Sequence, residues 1–290
     1  MNSLVSICIP TFNGSKFLEE ALVSIESQTY KNYEVVISDD ASTDETLKII
    51  QDFKVKASFP VYIYHHEPKG IGANWNNCIR KANGEFIKFL FQDDVLLPSC
   101  IEEQLAVLSS YSNIGLVASK RKFLIEGKVD LELKEWIETY NDLQEKLELP
   151  SGKVSIITKN LFKDNKFLKS PLNKIGEPPT VFFRKSVVQE IGYFREDLHQ
   201  ILDYEFYYRL LRSYNIAIIN KRLVNFRLHQ LQATNVNRNK PIKDYEIYER
   251  ILFEDFFWYL NFSEKKRLFF KFTRIGKIIQ RLENAIKRRL

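Results

Sequence analysis

Apolar positions along the first 119 residues alternate between short, nearly continuous runs and a helical spacing. Leu4 to Ile9 is such a run, closed by Pro10, and reads as a strand buried on both faces. Phe17, Leu18, Ala21, Leu22 and Ile25 then fall on one face of a helix. A second strand spans Tyr33 to Ser38. The capping box Ser42-Thr43-Asp44-Glu45 opens a helix that Leu47, Ile50 and Phe53 carry inward. Val61 to His65 predicts a third strand and Gly72 to Ala82 a helix ended by Asn83-Gly84. Phe86 to Phe91 predicts a fourth strand, Pro98 to Leu108 a helix, and Gly115 to Ser119 a fifth strand. Strands separated by helices require right-handed crossovers, so the predicted fold class is α/β, a mostly parallel sheet with helices on both faces.

Beyond residue 120 the pattern loosens. Leu131 to Leu149 is charged and helix-prone, and 150–178 is irregular. Thr180 to Arg184, Ile216 to Ile219 and Val224 to Leu228 predict strands, Tyr204 to Leu211 a helix, and the chain from Tyr245 onward a helical extension. The expected organisation is 1–119 as one half of a domain, 120–240 as its other half, and 241–290 as the C-terminal helical part.

Composition narrows the class without naming a function. The 290 residues are 44% hydrophobic and 28% charged, which excludes a disordered or fibrous chain. The net charge of +6 suits an anionic nucleotide or an anionic membrane surface, but also many plain enzymes. Cys8, Cys78 and Cys100 fit neither a disulfide framework nor a metal motif. A reducing cytoplasm is expected, with no signal peptide and no apolar run long enough to span a bilayer.

In a parallel sheet, ligands sit beyond the C-terminal ends of the strands, and the polar clusters fall there: Thr11-Phe12-Asn13, Asp39-Asp40 and Asp93-Asp94. Adjacent carboxylates at a strand end repel unless something neutralises them. Hard divalent cations, Mg²⁺ or Mn²⁺, bind such oxygens and bridge them to substrate phosphates. A helix cap or solvated turn is the plainer explanation of either pair. Two pairs at neighbouring strand ends also allow one to hold a metal and the other a base and ribose.

The ordered set Val5-Ser6-Ile7-Cys8-Ile9-Pro10-Thr11-Phe12-Asn13, Ser27-Gln28-Thr29-Tyr30, Glu34 to Asp44, and Gly84-Glu85-Phe86-Ile87 leading to Asp93-Asp94 and Pro98 resembles the nucleotide-sugar half of family 2 glycosyltransferases, which have the A-type glycosyltransferase fold. The resemblance covers residues 4–119. It implies that Pro10, Thr11, Phe12, Asn13, Asp39 and Asp40 surround the nucleoside, with Asp93 on the nucleotide and Asp94 as the direct metal ligand. Further along, Gly192-Tyr193-Phe194 and Asp203-Tyr204-Glu205 with Arg209 resemble the acceptor side. There the family carries a Glu-Asp pair whose Asp is the catalytic base. Leu202 replaces the Glu, Asp203 takes the base position, and Glu205 is the alternative. His229, after Arg227, resembles a position that reaches metal or diphosphate; a surface histidine is the alternative. Trp75 and Asn76 stand where many relatives carry an arginine.

The implied reaction is an inverting transfer from a nucleotide-diphospho-sugar, a UDP-sugar, to a glycan or lipid-linked acceptor in cell-surface polysaccharide synthesis. An inactive binding or assembly protein on the same fold is the rival. A sugar-phosphate nucleotidyltransferase would open with a Gly-rich basic loop, which Pro10 to Gly14 is not, and no nucleic-acid motif accompanies the basic tail. From Lys265 to Leu290, ten Lys and Arg flank an apolar stripe at helical spacing. This predicts a basic amphipathic helix that either lies on an anionic membrane, at the inner face of the cytoplasmic membrane, or packs on its own domain.

Overall fold

The computed structural model describes residues 3–147, 149–150, 152–230, 232 and 242–287, with side chains to 282. Among these residues nine strands form one sheet: β1 (Val5–Thr11), β2 (Tyr33–Asp39), β3 (Val61–His65), β4 (Phe86–Phe89), β5 (Val95–Leu96), β6 (Ile114–Ile125), β7 (Val154–Ile157), β8 (Val181–Arg184) and β9 (Asn215–Leu228). Their order is β3-β2-β1-β4-β8-β6-β9-β5, with β7 also paired to β9. β3, β2, β1 and β4 are mutually parallel. β8 enters antiparallel between β4 and β6, and β6 and β9 are again parallel. The sheet is therefore parallel through its first half and mixed in its second, and it runs unbroken across residue 119.

Alternation of side chains sends one set of strand residues to each face. Val5, Ile7, Ile9, Val35 and Ile37 pack with helices α1 (Ser15–Glu26), α2 (Thr46–Lys56) and, through Cys100, Ile101, Leu105 and Leu108, α4 (Cys100–Ser110). Cys8, Val36, Ile87, Phe89 and Phe183 face α3 (Ile71–Lys81) and α7 (Leu202–Leu211). α5 (Leu131–Tyr140) has no buried residue, and α6 (Val187–Ile191) follows β8. Lys88 is the one charge within β4. Burial lowers its pKa, and its Nζ reaches Gln104 Oε1 at 2.9 Å and the Pro179 carbonyl at 2.6 Å, tying β4 to α4 and to the entry of β8.

Several boundaries differ from the pattern for stated reasons. The fourth strand stops at Phe89, and Leu90 N–H makes its last hydrogen bond to β1, at the Cys8 carbonyl. Ile216–Ile219 and Val224–Leu228 are parts of one strand, joined through polar Asn220–Arg222, whose partners on β6 shift register there. β7 emerges from the irregular segment because it pairs with β9. The expected capping box does not form: α2 starts at Thr46, whose N–H is accepted by Asp44 Oδ1 at 3.0 Å, and Ser42 serves the site instead.

The helical C-terminus consists of α8 (Asp244–Glu254), α9 (Phe262–Phe272) and α10 (Arg274–Lys287). The basic stripe is thus two helices, broken at Thr273. Leu268 of α9 is fully buried, whereas Ile275, Ile278 and Leu282 of α10 are more than half exposed. The side chains of Glu283, Ile286 and Lys287, with Arg288, Arg289 and Leu290, lie outside the described residues. No helix among the described residues is long and apolar enough to cross a membrane.

Candidate active site

The turns after β1 and β2 are zipped together. Asp39, fully buried, accepts from Thr11 Oγ1 at 2.8 Å, from Ser42 N–H at 2.9 Å and from Ser42 Oγ at 2.6 Å. Ser42 Oγ in turn accepts from Asn13 N–H, and Asn13 Oδ1 accepts from Thr43 N–H. Asn13 and Ala41 both hold left-handed backbone, at φ 46° and 62°. Alanine gains nothing local from that conformation, so the surrounding bonds must hold it. Asp39 and Thr11 thus brace the turn. Asp40 Oδ1 lies 2.7 Å from His66 Nδ1, at the mouth of the same turn. Phe12 is 54% exposed beside this mouth, while Pro10 lies within β1, opposite Ser38 of β2.

Gln92 links this turn to the acid pair. Its Oε1 accepts from Phe12 N–H at 2.9 Å and its Nε2 donates to the Phe12 carbonyl at 3.0 Å. A Cβ on Gly14 would lie 2.2 Å from Gln92 Oε1, so only glycine lets the amide seat there.

Asp93 and Asp94 have different surroundings. Asp94 is 1% exposed; its Oδ1 accepts from Arg227 N–H at 2.9 Å, and its Oδ2 is buried without a hydrogen-bond partner among the described residues. Burial, and then the neighbouring Asp93 charge, push its carboxyl well above the usual range. Asp93 Oδ2 lies 3.0 Å from His229 Nε2. The end of β9 is clamped here: Arg227 donates from Nε to the Asp93 carbonyl, pairs with Glu20 and Glu126, and lies over the Phe17 ring, which also packs on His229. The expectation had joined His229 to Asp94; the structure sets it against Asp93.

The residues here suit a divalent cation in part. Among the described residues no three His, Cys, Asp or Glu side chains already converge on one point, so there is no closed protein cage. A hard cation at about 2.1 Å from its ligands places adjacent ligands about 3.0 Å apart, the separation of Asp93 Oδ2 and His229 Nε2. Asp94 Oδ2 adds a buried oxygen with no hydrogen-bond partner among the described residues, as expected of a site completed by substrate phosphates and water.

Asp203 stands at the second position of α7. Asn173 Nδ2 donates to its Oδ2 at 2.9 Å, and its Oδ1 is buried without a hydrogen-bond partner among the described residues. Burial pushes the carboxyl up to about 7; the nearby backbone N–H groups of Tyr204 and Asp203 oppose this and the Glu177 charge adds to it. Glu205 is otherwise engaged: both its oxygens bind Arg209, at 3.0 and 2.9 Å, and Arg209 also donates to the Ile191 and Tyr193 carbonyls. That network fastens α7 to the preceding turn and leaves Asp203 as the acid of the two not tied up in an ion pair.

Glu177, invisible to motif reasoning, is the missing neighbour. It pairs with Arg121 at 2.7 Å and lies close enough to raise both Asp203 and Asp94. The only local signal was its place before Pro178-Pro179, which fixes the entry to β8. Trp75 and Asn76 do structural work. Trp75 packs on Phe91 and Phe194, with ring centroids 5.0 and 5.2 Å away, and Asn76 exchanges hydrogen bonds with the Phe194 backbone.

Three comparisons bear on this arrangement. The sequence pattern described as Glycosyl transferase family 2 matches residues 6–192. The chain is 30% identical over 244 residues to an uncharacterized glycosyltransferase of Rickettsia prowazekii, covering 84% of this chain and 69% of that one. It is 26% identical over 250 residues to the poly(ribitol-phosphate) beta-N-acetylglucosaminyltransferase TarS of Staphylococcus aureus, covering 81% of this chain but 44% of TarS. In three dimensions it is similar to TarS 1–349 in complex with UDP-GlcNAc, with TM-score 0.66, 21% identity, and 93% of this chain and 74% of that one covered. It is also similar to the mannosyltransferase PcManGT of Pyrobaculum calidifontis in complex with GDP-Man and Mn²⁺, with TM-score 0.57, 15% identity, and 99% and 81% covered. These two likenesses show a shared A-type glycosyltransferase fold. The chain belongs to glycosyl transferase family 2 and is a glycosyltransferase.

Proposed function

We propose that the protein transfers a sugar, with inversion, from a UDP-sugar to a glycan or lipid-linked acceptor in cell-surface polysaccharide synthesis, with Mg²⁺ or Mn²⁺ on the leaving group. The observation that carries this is the shared neighbour of two acid sites. The charge of Glu177 acts on both Asp94 of the paired carboxylates and Asp203 of α7, which supports reading a leaving-group site and a proton-accepting site as parts of one centre. The nucleotide-bearing structures of TarS and PcManGT support a nucleotide-diphospho-sugar donor.

In this proposal Phe12 and Asp40 meet the nucleoside at the mouth of the first two turns, with Thr11, Asn13 and Asp39 holding the turn in shape. Asp93 and His229, with the unpaired oxygen of Asp94, would hold the cation, which neutralises the charge growing on the diphosphate. Asp203 takes the proton of the acceptor hydroxyl as that oxygen bonds to the anomeric carbon. The bond from that carbon to the diphosphate breaks on the opposite side, and the nucleoside diphosphate leaves with the electron pair. Burial suits Asp203 to the task, since a base whose pKa lies near the working pH both exists ionised and accepts a proton readily.

The test is nucleotide release from UDP-GlcNAc, UDP-glucose, UDP-galactose and GDP-mannose, with MnCl₂ or EDTA. Release of UDP from at least one UDP-sugar, abolished by EDTA, is expected. Donor binding seen as a raised melting temperature, with no release under any condition and with oligosaccharide acceptors added, would mark a binding protein instead.

For location, the exposed Ile275, Ile278 and Leu282 of α10, with Trp258 and Phe262 nearby in sequence and more than 80% exposed, support peripheral contact with an anionic membrane. Each flanking Lys or Arg near such a surface contributes about 1 kcal/mol. Replacing Ile275, Ile278 and Leu282 with Gln in the full chain is expected to lower co-sedimentation with phosphatidylglycerol-containing vesicles at least tenfold. Unchanged sedimentation of that variant would count against the membrane and leave the stripe to another role.

A further inference from the structure

α7 has no cap of its own. Its N-cap residue is Ile201, whose side chain cannot accept a hydrogen bond, yet the turn before it presents three successive backbone N–H groups. All three point at one oxygen. Asp244 Oδ2, from the first residue of α8, accepts from His199 N–H at 2.9 Å, Gln200 N–H at 2.6 Å and Ile201 N–H at 3.2 Å. Asp244 is fully buried. A carboxylate in a nest of consecutive N–H groups makes charge-assisted bonds of fixed direction, stronger than those a neutral cap provides. One helical turn further along α8, Tyr248 is 4% exposed and its ring meets Tyr204 edge-on at 5.4 Å. The same face of α8 therefore grips the chain just before Asp203 and just after it.

We infer that Asp244 is a positioning residue for sugar transfer: through the 199–201 turn it fixes where α7 begins and so where the Asp203 carboxyl points. The inference rests on the reading of Asp203 as the general base. It makes the C-terminal helices a working part of the acceptor side. Both residues lie beyond 6–192, the span that matches the family pattern, so the device belongs to a part of the chain on which that match is silent.

The groups facing Asp203 are Asn173 and Glu177 from the segment before β8, Tyr204, Tyr207 and Tyr208 along α7, and Tyr245 from α8. Glu177 is the carboxylate among them, and it stays in place when Asp244 is changed. Freeing the 199–201 turn admits water to Asp203, which relieves its burial.

The experiment compares Asp244→Ala, Asp244→Asn and Asp203→Asn in the full-length protein. Circular dichroism confirms folding, calorimetry gives donor affinity, and kcat is measured against pH. Asp244→Ala is expected to lower kcat 10- to 100-fold, to leave donor affinity within twofold, and to move the acid limb of kcat to lower pH. Asp244→Asn, whose amide oxygen still accepts, recovers most of kcat. Should the Ala variant not fold, the Asn variant carries the test through a smaller limb shift and a smaller loss in the same directions. A folded variant with unchanged kcat and limb, or one losing donor affinity in step with kcat, overturns the inference. A dead Asp203→Asn beside an unaltered Asp244→Ala overturns it alone, whereas an active Asp203→Asn removes the base reading and this inference with it.

Discussion

Asp203→Asn is expected to lower kcat about 10³-fold, the usual contribution of a positioned base, while calorimetric donor affinity stays within twofold. The amide can still accept from Asn173 Nδ2, so the local bond survives, but it cannot take up a proton. In the wild type, the carboxyl pushed up to about 7 by burial makes kcat fall as pH drops through about 7, because the base is then protonated. Stability moves the other way. A carboxyl whose pKa is raised in the folded state binds more protons folded than unfolded between about pH 4 and 7. Folding is therefore favoured at low pH and loses this contribution as pH rises through that window. The Asn variant should be more stable than wild type at pH 8, by up to a few kcal/mol, with the gap closing toward pH 4. Thermal unfolding across that range measures it. Loss of donor binding together with turnover would make Asp203 a structural residue.

The second large effect is expected at Asp93. Asp93→Ala should reduce kcat/KM about 10³-fold, since charge stabilisation at a leaving group is commonly the largest catalytic term. His229→Ala should lose about tenfold. Manganese binding in the presence of UDP, followed by electron paramagnetic resonance, should weaken in the same order. Asp94→Asn separates two duties, because an amide oxygen can still accept from Arg227 N–H while the charge is gone. Its activity is expected to fall as well, since on the proposed reading the buried Oδ2, without a hydrogen-bond partner among the described residues, faces the cation. A wild type indifferent to EDTA, or an Asp93→Ala variant within a few-fold of it, would count against a metal at this place.

What the sequence disclosed, and what it concealed, follows the range of the interactions. β3 begins and ends where its apolar run does, because a strand in a parallel half is specified by its own residues and their turns. β7 was concealed because Val154–Ile157 acquires strand form only by pairing with β9, some sixty residues on. Asp39 illustrates the same limit inside the site. The motif marks it as nucleotide-facing, but the structure turns it on Thr11 and Ser42, a choice set by neighbours in space. The proximity of Glu177 to Asp203 and the hold of Asp244 on residues 199–201 leave no periodic trace at all. Leu202 in the place of an acid signalled that a carboxylate had to come from elsewhere, without saying where.

The route of the chain through the sheet sets an order of assembly. β3, β2, β1 and β4 pair among themselves within the first ninety residues. β5 has to wait for β9, Val95 meeting Asn225, and Asp93 meets a histidine 136 positions later. Contacts so distant along the chain form late, after the entropy of closing their loops has been overcome. As the polypeptide leaves the ribosome, the turns after β1 and β2 can fold early, whereas the paired carboxylates stay without His229 until the chain has grown 136 residues further. A nascent or interrupted polypeptide can thus be well folded at one end and still lack the chemistry, so that activity reports completion of the whole domain rather than folding of its first half.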